Sequence, residues 1–169
     1  MLKDHKYLIL MHGIPGSGKS TFISNNFGTN PEVNVICPDD MREEFEHKKE
    51  EWKEKFEYEI WKRVDKRLKE SLVKNKITII DATFVSRKAI LKQYRTMKQI
   101  DDSINFLIVD FSDLSLEHCL SNNRKRKENG GRFVPEDVIE NMYERIHRTK
   151  LLEFEPMTIS HNNLEWLKA

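Results

Sequence analysis

One short segment constrains this chain more than any other. Gly13–Ser20 reads Gly-Ile-Pro-Gly-Ser-Gly-Lys-Ser and matches the pattern G-x-x-x-x-G-K-[ST]. Glycines in such a loop let backbone N–H groups approach phosphate oxygens, and the following helix presents its positive N-terminal end to the same anion. Lys19 supplies a full charge, and the Ser20 hydroxyl is a Mg²⁺ ligand. The residues expected to contact a nucleotide are Gly13, Gly16, Ser17, Gly18, Lys19, Ser20 and Thr21.

The residues around this loop alternate between strand-like and helix-like patterns. Predicted strands cover Lys6–His12, Val33–Cys37, Ile77–Asp81, Ile104–Phe111 and Met157–Ser160. Predicted helices cover Thr21–Asn26, the region near Glu50–Lys74, Ser86–Ile100, Leu114–Lys127 and Pro135–Arg148. This alternation predicts an α/β fold with a central parallel sheet of four or five strands, covered by helices on both faces. Ligands of such sheets bind beyond the carboxyl ends of the strands, so the chemistry is expected there.

Local signals refine the helices. On the longest helix Trp52, Phe56, Ile60, Val64 and Leu68 recur every four residues, which predicts one buried apolar stripe on a charged helix. For the three helices that follow, we expect Ser86 and Asp113 as N-caps and Pro135 at a first helical position.

Composition excludes several classes of protein. The 169 residues carry a formal net charge of +1, which excludes a uniformly basic nucleic-acid coat protein but allows a local basic patch. The apolar runs are far shorter than the roughly 20 residues that span a bilayer. Two cysteines permit neither a disulfide framework nor a four-cysteine zinc site, so we expect a reduced, cytoplasmic protein. The length suits a single domain over residues 1–169.

The kind of nucleotide user follows from what accompanies the loop. The chain has no guanine-reading N-K-x-D motif, and Asp110 in the fourth predicted strand is not part of an Asp-Glu pair. These observations argue against a GTPase and a motor ATPase. A small chain with few extra elements favours a kinase that acts on a bound acceptor.

A carboxylate follows the second predicted strand. Asp39 lies just past Val33–Cys37, on the side of the sheet where ligands bind, and can take a proton from an attacking hydroxyl. Arg42, one helical turn later, can hold an anionic acceptor. The same segment also reads as a helix start, with Asp39 or Asp40 as N-cap. Spacing leaves the catalytic and the capping interpretation open.

A second carboxylate ends the third predicted strand. Asp81 faces the end of the first strand if the two strands are neighbours. It can then orient Mg²⁺ through water, or accept a hydrogen bond from Ser20 or Arg42. An ordinary strand-terminating aspartate explains the position equally well.

Residues 122–132 form the most basic segment. They contain five Lys and Arg residues against one acidic residue, and they include the flexible pair Gly130-Gly131. A lid that closes over nucleotide phosphates needs such a composition, and one arginine can stabilise the transferring phosphoryl group. A solvated surface loop is the plainer interpretation. Given the phosphate loop, we expect a lid over about residues 115–134.

Together these segments resemble a known family. Gly13–Ser20, Pro38-Asp39-Asp40-Met41-Arg42, Asp81-Ala82-Thr83, the Arg126 region and Val134-Pro135 are similar to the 5′-kinase domain of bacteriophage polynucleotide kinase/phosphatase. The resemblance runs from about Lys6 to Arg148. It implies an adenylate-kinase-like P-loop fold, ATP and Mg²⁺, and transfer of the γ-phosphate to the 5′-hydroxyl of RNA or DNA.

The resemblance also implies roles for single residues. Lys19 and Ser20 match the phosphate and Mg²⁺ contacts, Asp39 the general base, and Arg42 the arginine that grips the acceptor phosphate. Asp81 matches an active-site aspartate, and we expect it to contact both the metal and the acceptor. We also expect Arg87 to bind the acceptor.

The lid arginine is matched by Arg126. Phe84 and Asn122 depart from residues common in related chains, so Arg124 and Arg132 stay alternatives to Arg126.

The chain carries no D-x-D-x-[TV] phosphatase signature, so we expect a kinase-only protein. The short apolar runs lead us to expect no membrane partner. Two alternatives remain: a small-molecule kinase on the same scaffold, and a non-catalytic binding module that retains ATP.

Overall fold

Strands and helices alternate along the chain as the sequence predicts. The computed structural model describes residues 5–45 and 53–165, and within these ranges there are five strands, six α-helices and one 3-10 helix. The strands are β1 (Tyr7–His12), β2 (Val33–Ile36), β3 (Ile77–Ile80), β4 (Asn105–Asp110) and β5 (Thr158–Ser160). The α-helices are α1 (Lys19–Phe27), α2 (Pro38–Glu44), α3 (Lys53–Lys74), α4 (Arg87–Ile100), α5 (Leu116–Glu128) and α6 (Glu136–Arg148). The 3-10 helix, Leu152–Met157, has no counterpart in the sequence prediction.

The sheet places the strand before the phosphate loop at its centre. All strand pairs are parallel, and the order across the sheet is β2-β3-β1-β4-β5. Every residue of β1 is buried, as expected for a strand covered on both faces. Because β3 and β4 flank β1, the segments after these three strands emerge side by side at one edge of the sheet. That edge is where a ligand is expected to bind.

Helices cover both faces of the sheet and confirm the predicted three-layer α/β architecture. On one face α3 and α4 pack against alternate residues of β1, including Leu8 and Leu10. On the other face α1 packs through Ile23 and Phe27 against Ile9 and its neighbours. A third apolar cluster joins α5 and α6 to the phosphate loop beyond the carboxyl edge of the strands. No helix in the described ranges combines the length and apolarity needed to cross a bilayer.

The apolar stripe on the longest helix is confirmed where the structure describes it. Phe56, Ile60, Val64 and Leu68 are between 0% and 6% exposed and pack in the core. Trp52, the first member of the predicted stripe, lies outside the described residues.

The start of α2 corrects the predicted cap. Neither Asp39 nor Asp40 is the N-cap, because the helix begins at Pro38 and Cys37 takes the cap position without a side-chain hydrogen bond. Proline suits the first helical position because it has no N–H to satisfy there. Both aspartates therefore lie in the first turn of α2, with their side chains available for other contacts.

Two further predicted helix starts are wrong by one or two residues. The α5 cap is Ser115 and not Asp113, because the Ser115 hydroxyl accepts a hydrogen bond from the His118 backbone N–H at 3.2 Å. Pro135 is the N-cap of α6, with an extended ψ of 138°, and not its first helical residue. Ser86 is confirmed as the α4 cap, accepting from the Ala89 backbone N–H.

Candidate active site

The phosphate loop is built around two glycines with left-handed backbone. Gly16 has φ 83° and Gly18 has φ 89°, a conformation that residues with a Cβ rarely adopt. At Gly16 a Cβ would also lie 2.1 Å from the carbonyl oxygen of Cys119, since α5 packs directly on the loop. Gly18 is the N-cap of α1, so the loop leads straight into the positive end of that helix.

Lys19 is buried beneath this loop. Its side chain is 7% exposed, and its Nζ donates to the Ile14 carbonyl at 2.7 Å and to Ser17 Oγ at 3.3 Å. Burial lowers the pKa of Lys19 to about 8, and Asp81 is the largest of the charges that oppose this change. A cation that has lost most of its hydration favours an incoming anion, so this ammonium suits a phosphate.

Ser20 and Asp81 meet at the mouth of the loop. Ser20 Oγ donates to Asp81 Oδ2 at 2.6 Å. Of the two donors that the sequence suggested for Asp81, Ser20 and Arg42, the structure therefore shows Ser20. Burial raises the pKa of Asp81, against the effects of the Ser20 hydrogen bond and the Lys19 charge. A hydroxyl and a partly dehydrated carboxylate are oxygen donors of the kind that Mg²⁺ prefers, so the pair fits that ion.

Asp39 projects from the first turn of α2 into the same cleft. One carboxylate oxygen lies 2.5 Å from Arg42 Nη1, and the other is ion-paired with Arg132. The side chain keeps 46% of its surface exposed. Asp39 therefore faces the cleft with both of its oxygens held by guanidinium groups.

Arg42 is held from behind by a residue that the sequence analysis did not single out. Glu57 of α3 accepts hydrogen bonds from Arg42 Nε at 2.7 Å and from Nη2 at 2.8 Å. The Glu57 contact raises the pKa of Arg42, and the same contact lowers the pKa of Glu57. The sequence carried little signal for this contact, because the Glu57 side chain is 52% exposed and its partner Arg42 belongs to another helix.

The basic segment divides between the cleft and the outside. Arg126 and Arg132 line the cleft, whereas Arg124 turns away and pairs with Glu136 at 2.7 and 2.9 Å. Burial lowers the pKa of Arg126, and the neighbouring charge of Arg132 acts in the same direction. Among the described contacts, Arg126 Nε is buried without a hydrogen-bond partner. Because the Arg126 side chain lines the cleft and this nitrogen is unsatisfied, its guanidinium suits a phosphate ligand.

Two asparagines fix the position of this segment. Asn122 Nδ2 donates to the Gly16 carbonyl at 2.9 Å, which ties α5 to the phosphate loop. Asn123 is fully buried; it donates to the Val134 carbonyl at 2.8 Å, and its carbonyl oxygen accepts from the Val134 N–H and from Arg126 Nη2, each at 3.1 Å. This positioning role was not predicted for either asparagine, because a pair of asparagines before a basic run is typical of a helix surface.

These groups surround a cleft of about 790 Å³. Of the residues predicted from the sequence, the cleft wall contains Gly16, Gly18, Lys19, Ser20, Thr21, Asp39, Asp81 and Arg126. Gly13 and Ser17 are buried members of the loop outside the cleft wall, and Arg42 lies behind Asp39. Arg87, at the start of α4, pairs with Glu153 at 2.6 Å outside the cleft. Cys37 and Asp40 line the wall in addition to the predicted set.

The arrangement defines a class of protein. A parallel sheet with the order 2-3-1-4-5, a phosphate loop after its central strand and a basic segment over that loop make up a P-loop kinase fold. This fold supports a phosphotransferase that uses a nucleotide. A family model described as AAA domain matches residues 8–149, and the chain belongs to that family.

Solved structures share this architecture. A chain from "Structure of the Pnkp1/Rnl/Hen1 RNA repair complex" is 27% identical, with a TM-score of 0.69 over 87% of this chain and 46% of that chain. A chain from "Structure of Pnkp1/Rnl/Hen1 complex" is 26% identical, with a TM-score of 0.52 over 70% of this chain and 40% of that one. This chain thus spans less than half the length of either. The expected resemblance is thus confirmed: the chain has a P-loop kinase domain and is similar to a chain of an RNA repair complex.

A sugar kinase shares the fold at lower identity. The gluconokinase from Sinorhizobium meliloti 1021 is 15% identical, with a TM-score of 0.55 over 91% of this chain and 81% of that chain. At this identity the likeness concerns the fold alone.

The burial of Lys19 predicts proton uptake when a nucleotide binds. Because the pKa of Lys19 is lowered to about 8, most molecules carry a neutral Lys19 at pH 8.5, where nucleotide phosphates are fully ionised. Bound phosphate restores the charge, so binding takes up more protons at pH 8.5 than at pH 7.2. Calorimetry in buffers of different ionisation enthalpy measures the uptake. Equal proton numbers at both pH values would contradict the assignment of this pKa.

Proposed function

We propose that this protein is an ATP-dependent polynucleotide 5′-hydroxyl kinase. One observation carries the proposal: a carboxylate, Asp39, faces the same cleft as the phosphate loop, and Arg126 and Arg132 face it from the basic segment. This is the set of groups that transfer of a phosphoryl group to an alcohol needs. The likeness to a chain of an RNA repair complex supports a nucleic-acid end as the alcohol.

The phosphate loop holds the nucleotide in this proposal. Loop N–H groups and Lys19 bind the β- and γ-phosphates, and Arg126 donates to them from the opposite wall. Ser20 and Asp81 would hold Mg²⁺, which neutralises phosphate charge when bound. We further propose that residues 1–169 act as one kinase domain, with residues 115–134 as its lid.

Asp39 and Arg42 receive the acceptor. The 5′-hydroxyl oxygen forms a bond to the γ-phosphorus while the bond between that phosphorus and the β-phosphate oxygen breaks, and Asp39 accepts the hydroxyl proton. Arg42 binds the first phosphate of the acceptor. Arg132 is also ion-paired with Asp39, so we infer that Arg132 moves to the nucleotide phosphates when Asp39 accepts the hydroxyl proton. The contact of Arg87 with the acceptor stays a prediction.

A panel of acceptors tests the substrate class. We expect labelled ATP to phosphorylate 5′-hydroxyl RNA or DNA oligonucleotides, and to label nucleosides, nucleotides and gluconate far less. Matched 5′-phosphorylated oligonucleotides serve as the control, since their acceptor hydroxyl is blocked. Labelling of small molecules alone would replace this proposal with a small-molecule kinase. Nucleotide binding without any transfer would favour a non-catalytic module.

Asp39 and its neighbour Asp40 offer a matched pair of variants. We expect Asp39→Asn to lower kcat by about 10²- to 10⁴-fold with little change in ATP affinity, because the base is lost and the phosphate site is kept. Asp40→Asn removes the same charge from the cleft wall, at an aspartate that is 73% exposed and lies 3.9 Å from Arg132, so kcat should fall far less than in Asp39→Asn. Steady-state kinetics and nucleotide titration measure both variants. Full activity of Asp39→Asn would end the assignment of Asp39 as base.

Arg126 and Arg124 distinguish the lid arginine. Arg126→Ala should lower kcat by about 10²- to 10³-fold, because it removes a donor aimed at the phosphates. Arg124→Ala removes an arginine that pairs with Glu136 outside the cleft, and activity should stay within a few-fold of the parent. The same kinetic assay compares the two. The reverse order of effects would assign the lid contact to Arg124.

A further inference from the structure

Positive charge is concentrated on two adjacent helices. The segments that form α3 and α4 contain thirteen Lys and Arg residues and five Asp and Glu residues, whereas the whole chain has a net charge of +1. The rest of the chain is therefore acidic overall. In α4 no acidic residue accompanies the five basic ones. An excess of this size on one pair of elements is a local feature that the near-neutral total conceals.

Both helices lie on the same face of the sheet and next to each other. Their apolar residues share one core cluster, and Lys92 of α4 pairs with Asp65 of α3 at 2.8 Å. Because the apolar sides point into that core, the opposite sides point to solvent. On α3 this outer side carries Tyr58, Lys62, Lys66 and Lys69, which we name the basic ridge.

The basic ridge is open to solvent and carries an aromatic ring at one end. The Lys62 side chain is 66% exposed, and Lys66 and Lys69 are also exposed. Tyr58 is 68% exposed, an unusual position for a large aromatic side chain. Spacings of four, four and three residues align all four side chains along one side of the helix. With a rise of about 1.5 Å per residue, the row extends for roughly 16 Å.

Contacts at the start of α3 connect the ridge to the cleft. Tyr58 directly follows Glu57, which holds Arg42, and Arg42 in turn contacts Asp39. On the flank of the ridge, the Arg63 guanidinium lies 4.0 Å from the centre of the Phe45 ring at the end of α2. The ridge therefore begins beside the residues that face the acceptor and runs away from the cleft.

Among the side chains that the structure describes, few acidic groups lie near the ridge, and most of these are engaged. Glu59 lies 4.0 Å from Lys62, and Asp65 pairs with Lys92. Glu70 is exposed beside Lys69. The basic side chains Lys66, Arg67 and Lys69 have no ion pair among the described residues. The ridge thus keeps a positive surface for an anionic partner.

We propose that the basic ridge binds the single-stranded body of the acceptor nucleic acid. Lys62, Lys66 and Lys69 contact successive backbone phosphates, and Tyr58 stacks on an unpaired base near the 5′ end. This inference rests on the proposed function and extends it, since it assigns an acceptor longer than the reacting nucleotide. An anionic membrane is a poorer partner, because the apolar stripe of α3 is buried in the core and cannot insert.

A triple variant tests the ridge. Lys62→Gln, Lys66→Gln and Lys69→Gln together should weaken binding of a 5′-hydroxyl single-stranded 12-mer by about tenfold or more. The slope of log affinity against log salt should fall by about 2, since three phosphate contacts are lost. The matched control is Arg145→Gln, Arg148→Gln and Lys150→Gln, which removes three exposed basic residues from and beside α6. Fluorescence anisotropy measures affinity, and thermal unfolding checks that both variants are folded.

Acceptor length supplies a second readout. The triple variant should raise the KM for the 12-mer and leave the KM values for a dinucleotide acceptor and for ATP unchanged. Tyr58→Ala should weaken 12-mer binding by at least about fivefold, whereas Tyr58→Phe keeps the ring and the affinity. Parent-like 12-mer affinity and KM in the triple variant would overturn the proposal. Binding to phosphatidylserine vesicles in place of the 12-mer would overturn it as well.

The outcomes separate this inference from the proposed function. If no nucleic acid is phosphorylated but the triple variant loses 12-mer binding and the control does not, the ridge stands and the kinase acceptor is wrong. If the 12-mer is phosphorylated and the triple variant behaves like the control, the kinase stands and the ridge is wrong.

Discussion

The parallel pairing of β1 with β3 is the constraint on which the site depends. Leu10 lies opposite Ile80 in this pair, so the phosphate loop and the segment starting at Asp81 leave the sheet at the same edge. This brings Ser20 and Asp81, 61 residues apart in the sequence, to 2.6 Å from each other. Pairing of β2 with the outer side of β3 adds Asp39 to the same edge. The carboxylates of the cleft are thus positioned by backbone hydrogen bonds within the sheet.

Charge balance governs the cleft that results. Lys19, Arg126 and Arg132 face Asp39 and Asp81 in the cleft, and Arg132 is also paired with Glu43 at 2.5 Å. Burial already lowers the pKa of Lys19 and Arg126, so these two cations are incompletely compensated. A polyanion such as a nucleotide phosphate chain neutralises the charges of Lys19 and Arg126 more completely than the carboxylates do. The cleft is therefore suited to bind phosphates.

Much of the fold follows from local sequence patterns. The predicted strands agree with the observed ones to within a residue at each end, because short apolar runs between turn residues leave few alternatives. The Ser86 cap and the stripe through Phe56 and Leu68 also follow from local rules. The phosphate loop is recognisable because its chemistry fixes residue types at fixed spacing. Helix starts are harder to predict, because Cys37 and Ser115 take cap positions for which neighbouring polar residues also qualify.

The parts of the site that escaped prediction depend on how helices are rotated. Residues two apart on an α-helix point in nearly opposite directions, so Arg124 and Arg126 cannot both face the cleft. The choice is made by burial of Cys119 and Asn123, which lie on the same side of α5 as Arg126. The contact between Glu57 and Arg42 was equally hard to predict, because the two residues belong to different helices. Rotation of this kind is set by tertiary packing and leaves little trace in a single sequence.

The close approach of Cys119 to Gly16 bears on how fast the cleft can open. Since α5 rests on the phosphate loop and Asn122 is hydrogen-bonded to it, the base of the basic segment cannot lift without breaking the loop's own contacts. Within the proposed lid over residues 115–134, the part that can move without breaking these contacts is the short stretch after α5, where Gly130 adopts φ 73°. Opening is then the displacement of a few residues, which belongs to the nanosecond-to-microsecond range of loop motion and not to the slower swing of a separate domain.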